Sequence, residues 1–353
     1  MTEVKNAHLA MSEYEAAAWT KLIERVRRRE QRQQVAPIRK AAELGDAASK
    51  RLETYLDDHQ QVKTVADSVL APLTGLQNLL SRAATASVSD RRIIKRAGRL
   101  DSAVTSLTDI RKADLAVPDR LLSLHTLTYG VGLGVEGAAT SLLITGFVVS
   151  STVSGGTTLA AAAAAVSTDV AANLAAASRL VAKVAMSYGY DTRLPEEQLY
   201  ALGVLNYGTT LTAGGKAASL AELSRLVQTM MRGANHRVLD EFVMVQVSRE
   251  VVKRLGFRLT HQRIAQVVPI VGAVVNAGTN ATSITILGQR AQEAYRLRFL
   301  TEKYDIDPHS WLGDHVIGDD EGAEEPIDIE ALVEDARSNE QTNTNANDND
   351  NRP

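Results

Sequence analysis

Two carboxylates, Glu136 and Asp169, sit where a charge needs an explanation. They are the only formal charges among the 58 residues between Arg120 and Arg179, a stretch dominated by Gly, Ala, Ser and Thr. A buried carboxylate must find a cation, a donor network or a raised pKa. The pair is therefore open to three readings: a structural ion pair or cap, a ligand or metal site, or general acid/base chemistry. Arg179, ten residues beyond Asp169, favours the first. The chain has no cysteine and sets no histidine at ligand spacing beside these acids, so the metal reading is weak. Asn276 and Asn280 stand at i and i+4 in a second charge-free stretch, 264–289, and share one helix face. Amides there either cross-link packed helices or line a cavity. Glu136, Asp169, Asn276 and Asn280 thus form the candidate polar core or ligand cluster.

Other catalytic patterns fail on inspection. Gly214, Gly215 and Lys216 resemble the end of a phosphate loop, but Thr210 occupies the first glycine position and Ala217 replaces the required hydroxyl. The sequence contains no G-x-S-x-G, H-E-x-x-H or kinase set. His309 and His315 lie among tail aspartates in an arrangement too loose to designate a metal site. No catalytic residue, metal ligand or cofactor is designated, and the expectation leans to a non-enzymatic protein.

The elements that must position these residues are helical. Only 4% of residues are aromatic, and apolar residues recur at helical rather than strand spacing, which predicts an all-α fold. One multi-helix domain is expected over 12–305, with an N-terminal lobe at 12–120 and a Gly/Ala-rich core at 121–305. Residues 1–11 are expected to be flexible and 306–353 to form an acidic, largely disordered tail. Residues 1–11 lack an apolar leader pattern. Ser12 and Glu15 form a capping box that opens a helix carrying Trp19, Leu22, Ile23 and Val26 on one stripe. Further helices are expected near 41–56, 61–84, 90–97 and 100–112. Pro195 with Glu196 and Glu197 reads as a helix N-terminus, and Ser219 with Glu222 as a capping box for a helix over 220–231. Tyr188, Tyr190, Tyr200 and Tyr207 read as core rings.

Charge is unevenly distributed. Residues 1–300 hold 36 Lys and Arg against 26 Asp and Glu, whereas 301–353 hold 3 against 16. The first helix ends in Arg27, Arg28 and Arg29, read either as a solvated helix end or, with Trp19 and Tyr14 at the boundary, as a contact with an anionic membrane surface. Arg91, Arg92, Lys95, Arg96 and Arg99 make a second basic cluster. No nucleic-acid motif surrounds it, so a charged helix face or an anionic-membrane contact is favoured over nucleic acid. The greasiest run, Leu142–Val149, is too short to span a bilayer, since a span needs roughly 20 apolar residues. Burial in protein is favoured over a shallow membrane hairpin.

An ordered series of motifs carries a resemblance. EGAAT at 136–140 is followed by Asp169, YGYD at 188–191 and LPEEQLYALGVLNYG at 194–208. VPIVGA at 268–273 and AYRLRFLTEKY at 294–304 complete the series. Together they resemble the EcsC protein family, bacterial proteins named for an operon that encodes an ABC transporter. The resemblance implies a helical cytoplasmic protein, peripheral at the inner membrane face and accessory to a transporter or secretion complex. It implies no chemical activity. The alternative is a lipid- or small-molecule-binding protein, with hydrolytic chemistry around Glu136 and Asp169.

Overall fold

The computed structural model describes residues 10–33, 89–122, 174–210, 213–231 and 280–307, with short pieces at 246–247, 250–251, 253–255, 331–336 and 338. Glu136, Asp169 and Asn276 lie outside the described residues, as do the helices expected near 41–56 and 61–84 and the run Leu142–Val149. Every described element is helical, and no strand occurs among the described residues.

The first helix, α1 (Glu13–Gln33), starts where its capping box predicts. The Glu15 amide donates to Ser12 Oγ and the Ser12 amide to Glu15 Oε2, both at 3.2 Å. Trp19, Leu22, Ile23 and Val26 are all buried in the main core. Burying four such side chains contributes roughly 1.5–3 kcal/mol each, far more than propensity can supply.

The next helix, α2 (Asp90–Leu100), buries Ile93 and Ala97. It was expected to yield to another helix over 100–112, and that expectation is corrected. The chain leaves α2 through an extended Asp101 and re-enters a helix only as one turn, α3 (Leu107–Ile110). The cause is local. Asp101 Oδ1 accepts from the Ala103 amide at 2.9 Å, and Asp109 Oδ2 accepts from the Thr105 and Ser106 amides at 3.1 and 2.8 Å. Short polar side chains here capture the amides that a continuous helix would need. Residues 116–122 form α4. With α2 and α3 it closes a small second core of Ile93, Ala97, Val104, Ile110, Val117 and Leu121, completed by Met186 of α5 (174–187).

At the end of α5 the Gly189 amide donates to Met186 O at 3.1 Å and the Tyr190 amide to Ala185 O at 3.0 Å, the paired bonds of a Schellman cap. Gly189 has φ +84°, and a β-carbon there would stand 2.5 Å from Leu107 O. Only glycine satisfies both constraints.

Pro195 opens α6 (Pro195–Thr209) at its first turn, as expected. The following helix, α7 (Ala213–Met231), starts earlier than its sequence signal. Ser219 is not a cap but a buried interior residue that receives a bond from Asn206 Nδ2 at 3.4 Å, so its hydroxyl is used between helices. The last long helix, α8 (Asn280–Lys303), packs against α1, α6 and α7. The α6–α8 approach is close: a β-carbon on Gly208 would meet Leu287 Cδ1 at 2.0 Å. The packing expected to involve Gly137 and Gly272 falls outside the described residues. Of the acidic tail, 331–336 is helical and Ala336 is buried in the main core. Among the described residues no helix is long and apolar enough to cross a membrane.

Gly189→Ala should lower stability by about 1–3 kcal/mol, from left-handed strain plus the Leu107 clash. Thermal unfolding followed by circular dichroism checks this; an unchanged midpoint contradicts the cap. A second test concerns Asp109, whose carboxyl is held down to about 2, first by the Ser106 and Thr105 side chains. A depressed acid contributes stability above its unfolded pKa and loses it as pH falls through the folded value. The stability difference between wild type and Asp109→Asn should therefore shrink between pH 4 and pH 2, measured by urea denaturation.

Candidate functional site

Three buried acids from three different elements converge on α8. They are Glu15 of α1, Asp119 of α4 and Glu197 of α6, at 1%, 6% and 5% exposure. Each meets a cation of α8, and the tyrosines of the YGYD turn complete the network.

The innermost unit surrounds Arg298, itself 3% exposed. Its Nη1 and Nη2 donate to Glu197 Oε2 and Oε1 at 2.6 and 2.7 Å, a bidentate fork. Arg298 Nε donates to Glu302 Oε1 at 2.6 Å, and Tyr190 Oη donates to Glu302 Oε2 at 2.9 Å. The guanidinium lies 4.1 Å from the Tyr190 ring centroid and 4.4 Å from that of Tyr200. Burial disfavours the charge of Arg298, but Glu197 and then Glu302 overcome it and raise the pKa. Burial raises Glu197 as well, against the pull of Arg298. With the fork closed, the ionised pair is the state this geometry favours.

The second unit is centred on Asp119. Its Oδ1 accepts from Tyr188 Oη at 2.5 Å and from Arg296 Nε at 2.8 Å, and Oδ2 accepts from Tyr14 Oη at 2.8 Å. Burial, then the Asp119 charge, raises the Tyr188 hydroxyl well above its ordinary range. The third unit joins the ends of the fold. Glu15 Oε1 accepts from Lys303 Nζ at 2.7 Å and from the Leu115 amide at 3.0 Å, while Oε2 accepts from Tyr304 Oη. Arg290, nearer the start of α8, donates to Gly208 O at 2.6 Å and Thr210 O at 2.9 Å, closing the C-terminus of α6.

Each of these carboxylates is engaged through both oxygens by groups of the protein itself. Among the described residues no group of His, Cys, Asp and Glu is arranged to hold a metal ion. A small cavity lined by Tyr200, Ser224, Val227, Leu297, Arg298 and Thr301 measures about 10 Å³. A ligand pocket needs roughly 300 Å³ or more. The seam is built to hold helices together.

The exterior carries the other concentration of charge. Arg91, Arg92, Lys95, Arg96 and Arg99 of α2 are all exposed, and Asp90 is that helix's only acid. Asp90 is engaged by Arg193 Nη2 at 3.0 Å, which ties the start of α2 to the turn before α6. Leu194, the next residue, is 47% exposed. A shallow open groove of about 450 Å³ runs past Asp90, Arg91, Ile94, Lys95 and Thr105. On α5, burial and then the charge of Arg96 lower the Lys183 amine to about 8.

Among the residues singled out from sequence, Asn280 opens α8. Trp19, placed at a membrane boundary beside the arginines, is 3% exposed; its position is corrected to the core because it shares one stripe with Leu22, Ile23 and Val26. Arg27 and Arg28 are exposed, Arg28 pairing with Glu24 at 2.5 Å, and Arg29 lies within α1. Glu197 was read only as a complement to the α6 dipole, and Arg296, Arg298 and Lys303 were not singled out. The available signal was AYRLRFLTEKY, where charges alternate with large apolar residues on every face of a helix. Such a helix must be buried, and its charges must be paired.

Asp119→Asn should cost about 1.5–3 kcal/mol, because charge-assisted bonds to Tyr188 and Arg296 are lost at a buried position while Arg296, 23% exposed, keeps part of its hydration. Tyr14→Phe, at the exposed end of the same unit, should cost about 1 kcal/mol. Urea denaturation of the two variants measures both, and equal effects would contradict the buried unit.

The profile of the EcsC protein family matches residues 1–300. The uncharacterized protein YdbA of Bacillus subtilis is 28% identical over 200 residues, covering 56% of this chain. That match spans 64% of YdbA, under two thirds of its length. No solved structure matches the chain.

Proposed function

The chain belongs to the EcsC protein family, and we propose that it is a non-enzymatic protein that binds an anionic membrane surface peripherally through α2. The observation that carries this reading is the concentration of five exposed cations on the eleven residues of α2, beside the exposed Leu194. Among the described residues no carboxylate lies within ion-pairing distance of Arg91, Arg92, Lys95 or Arg99. Their field is thus directed outward. Ile93 and Ala97 anchor the opposite side of the helix in the second core, so the cationic face is rigidly presented. Each cation held near an anionic leaflet contributes about 1 kcal/mol, and a leucine at the rim adds an apolar contact.

Arg27 and Arg28 of α1 remain a secondary contact in this reading, without Trp19. A role as accessory to an ABC transporter or secretion complex at the cytoplasmic face follows from the family resemblance and is part of the same proposal. The ligand-binding alternative rests on Glu136, Asp169 and Asn276, which lie outside the described residues, and no described geometry favours it.

Sedimentation with vesicles containing phosphatidylglycerol tests the reading. The full chain should pellet at low salt and be released by 0.5 M salt through screening. Reversing Arg91, Arg92 and Lys95 to glutamate should weaken binding by about a hundredfold or more, from the loss of about 1 kcal/mol per cation. Leu194→Asp should weaken it further, whereas reversing Arg27 and Arg28 should have the smaller effect. Absence of pelleting by the folded wild type overturns the proposal.

A further inference from the structure

We infer that the small cavity between α7 and α8 is the site of one structural water, held by Thr301, Arg298 and Ser224, and that this water carries the polar network of the seam across to α7.

The cavity lies where Tyr200 of α6, Ser224 and Val227 of α7, and Leu297, Arg298 and Thr301 of α8 come together. Thr301 is 1% exposed, and its Oγ1 has no hydrogen-bond partner among the described residues. A buried hydroxyl left unpaired gives up its hydration without compensation, a cost that native interiors rarely bear. Two polar neighbours in the same wall have bonding capacity to spare. Arg298 carries five N–H donors, of which one on Nε, one on Nη1 and one on Nη2 are used by Glu302 and Glu197. Ser224 Oγ donates to Leu220 O at 2.9 Å and keeps its lone pairs. Arg298 and Thr301 stand at i and i+3 and so share one face of α8, while Ser224 belongs to the α7 side of the cavity.

Size and charge select the occupant. A cavity of about 10 Å³ is far too small for an organic ligand, whereas one water needs roughly 10–15 Å³ and two to four polar partners. An added cation would face the Arg298 guanidinium, and an added anion would face the Glu197 and Glu302 carboxylates that already engage it. A single neutral water meets neither penalty. It accepts from Arg298 and from Thr301 and donates to Ser224, about three bonds, which is the usual number for a buried water. The three ion-paired units of the seam join α8 to α1, α4 and α6. The water adds α7 to that set.

A crystal structure of the full chain, at a resolution that shows ordered solvent, is read together with the thermal unfolding of Thr301→Val. The wild-type map should contain a solvent peak within about 3.2 Å of Thr301 Oγ1 and of Arg298 or Ser224. Valine replaces the hydroxyl by a methyl group of nearly the same shape, so the sign of its effect separates a wet site from a dry one. Where the hydroxyl holds a water, the variant loses that bond and its unfolding midpoint falls by about 2–4 °C. Where the hydroxyl is dry and unpaired, its removal relieves a cost, and the midpoint stays or rises. The wild-type map decides occupancy whether or not the variant folds. A peak in the map with a lowered midpoint supports the inference; an empty cavity in the wild-type map, or a midpoint unchanged or raised in Thr301→Val, overturns it.

Discussion

A guanidinium with almost no access to water constrains the rest of this fold. Arg298 can remain charged in the core only because Glu197 from α6 and Glu302 from its own helix surround it and two tyrosine rings flank it. Displacing Glu197 leaves the fork of the buried guanidinium without its carboxylate. A buried ion pair adds little net stability over an apolar equivalent, but it penalises every alternative register. The close fit of Gly208 on Leu287 also sets the α6–α8 contact. The fork between α6 and α8 adds a directional constraint that apolar contacts lack.

The same logic repeats along α8 at two further levels, through Arg296 with Asp119 and Lys303 with Glu15. One helix thereby fixes α1, α4 and α6 in register, and Arg290 closes the end of α6. The seam engages Glu15, Asp119 and Glu197 between helices. Among the described residues the exposed cations are concentrated on α2. That helix is fastened to the body by its own small core and by the Asp90–Arg193 contact. Interior order and exterior charge are thus linked, since a cationic face can be presented in one geometry only on a body that does not slip.

Much of this was legible in the sequence where the governing interactions are local. The capping box at Ser12, the proline start of α6 and the apolar stripe of α1 depend on neighbours within four residues, and each appeared where expected. The all-helical class followed from periodicity, and family membership from ordered motifs. The seam was not legible because its partners are distant in sequence: Glu15 meets Lys303, and Glu197 meets Arg298, across 288 and 101 residues. Glu197 looked like an ordinary first-turn acid until the fold placed an arginine against it. Ser219 misled for a related reason, since its hydroxyl serves Asn206 on another helix instead of its own N-terminus. The break after Leu100 was missed because helical spacing continues there, while the side chains of Asp101 and Asp109 capture the amides. Attention to Glu136 and Asp169 followed from their isolation in sequence. The described acids that organise the body lie among other charges.

The claim that a buried fork fixes the register of α6 against α8 is tested most directly by a double-mutant cycle on Glu197 and Arg298, read by urea denaturation. Glu197→Leu and Arg298→Met each remove one partner and should each cost about 3–5 kcal/mol, whereas the double variant should recover much of that loss. The account predicts a coupling of about 2–3 kcal/mol between the sites. Single costs that simply add, within about 0.5 kcal/mol, would contradict it.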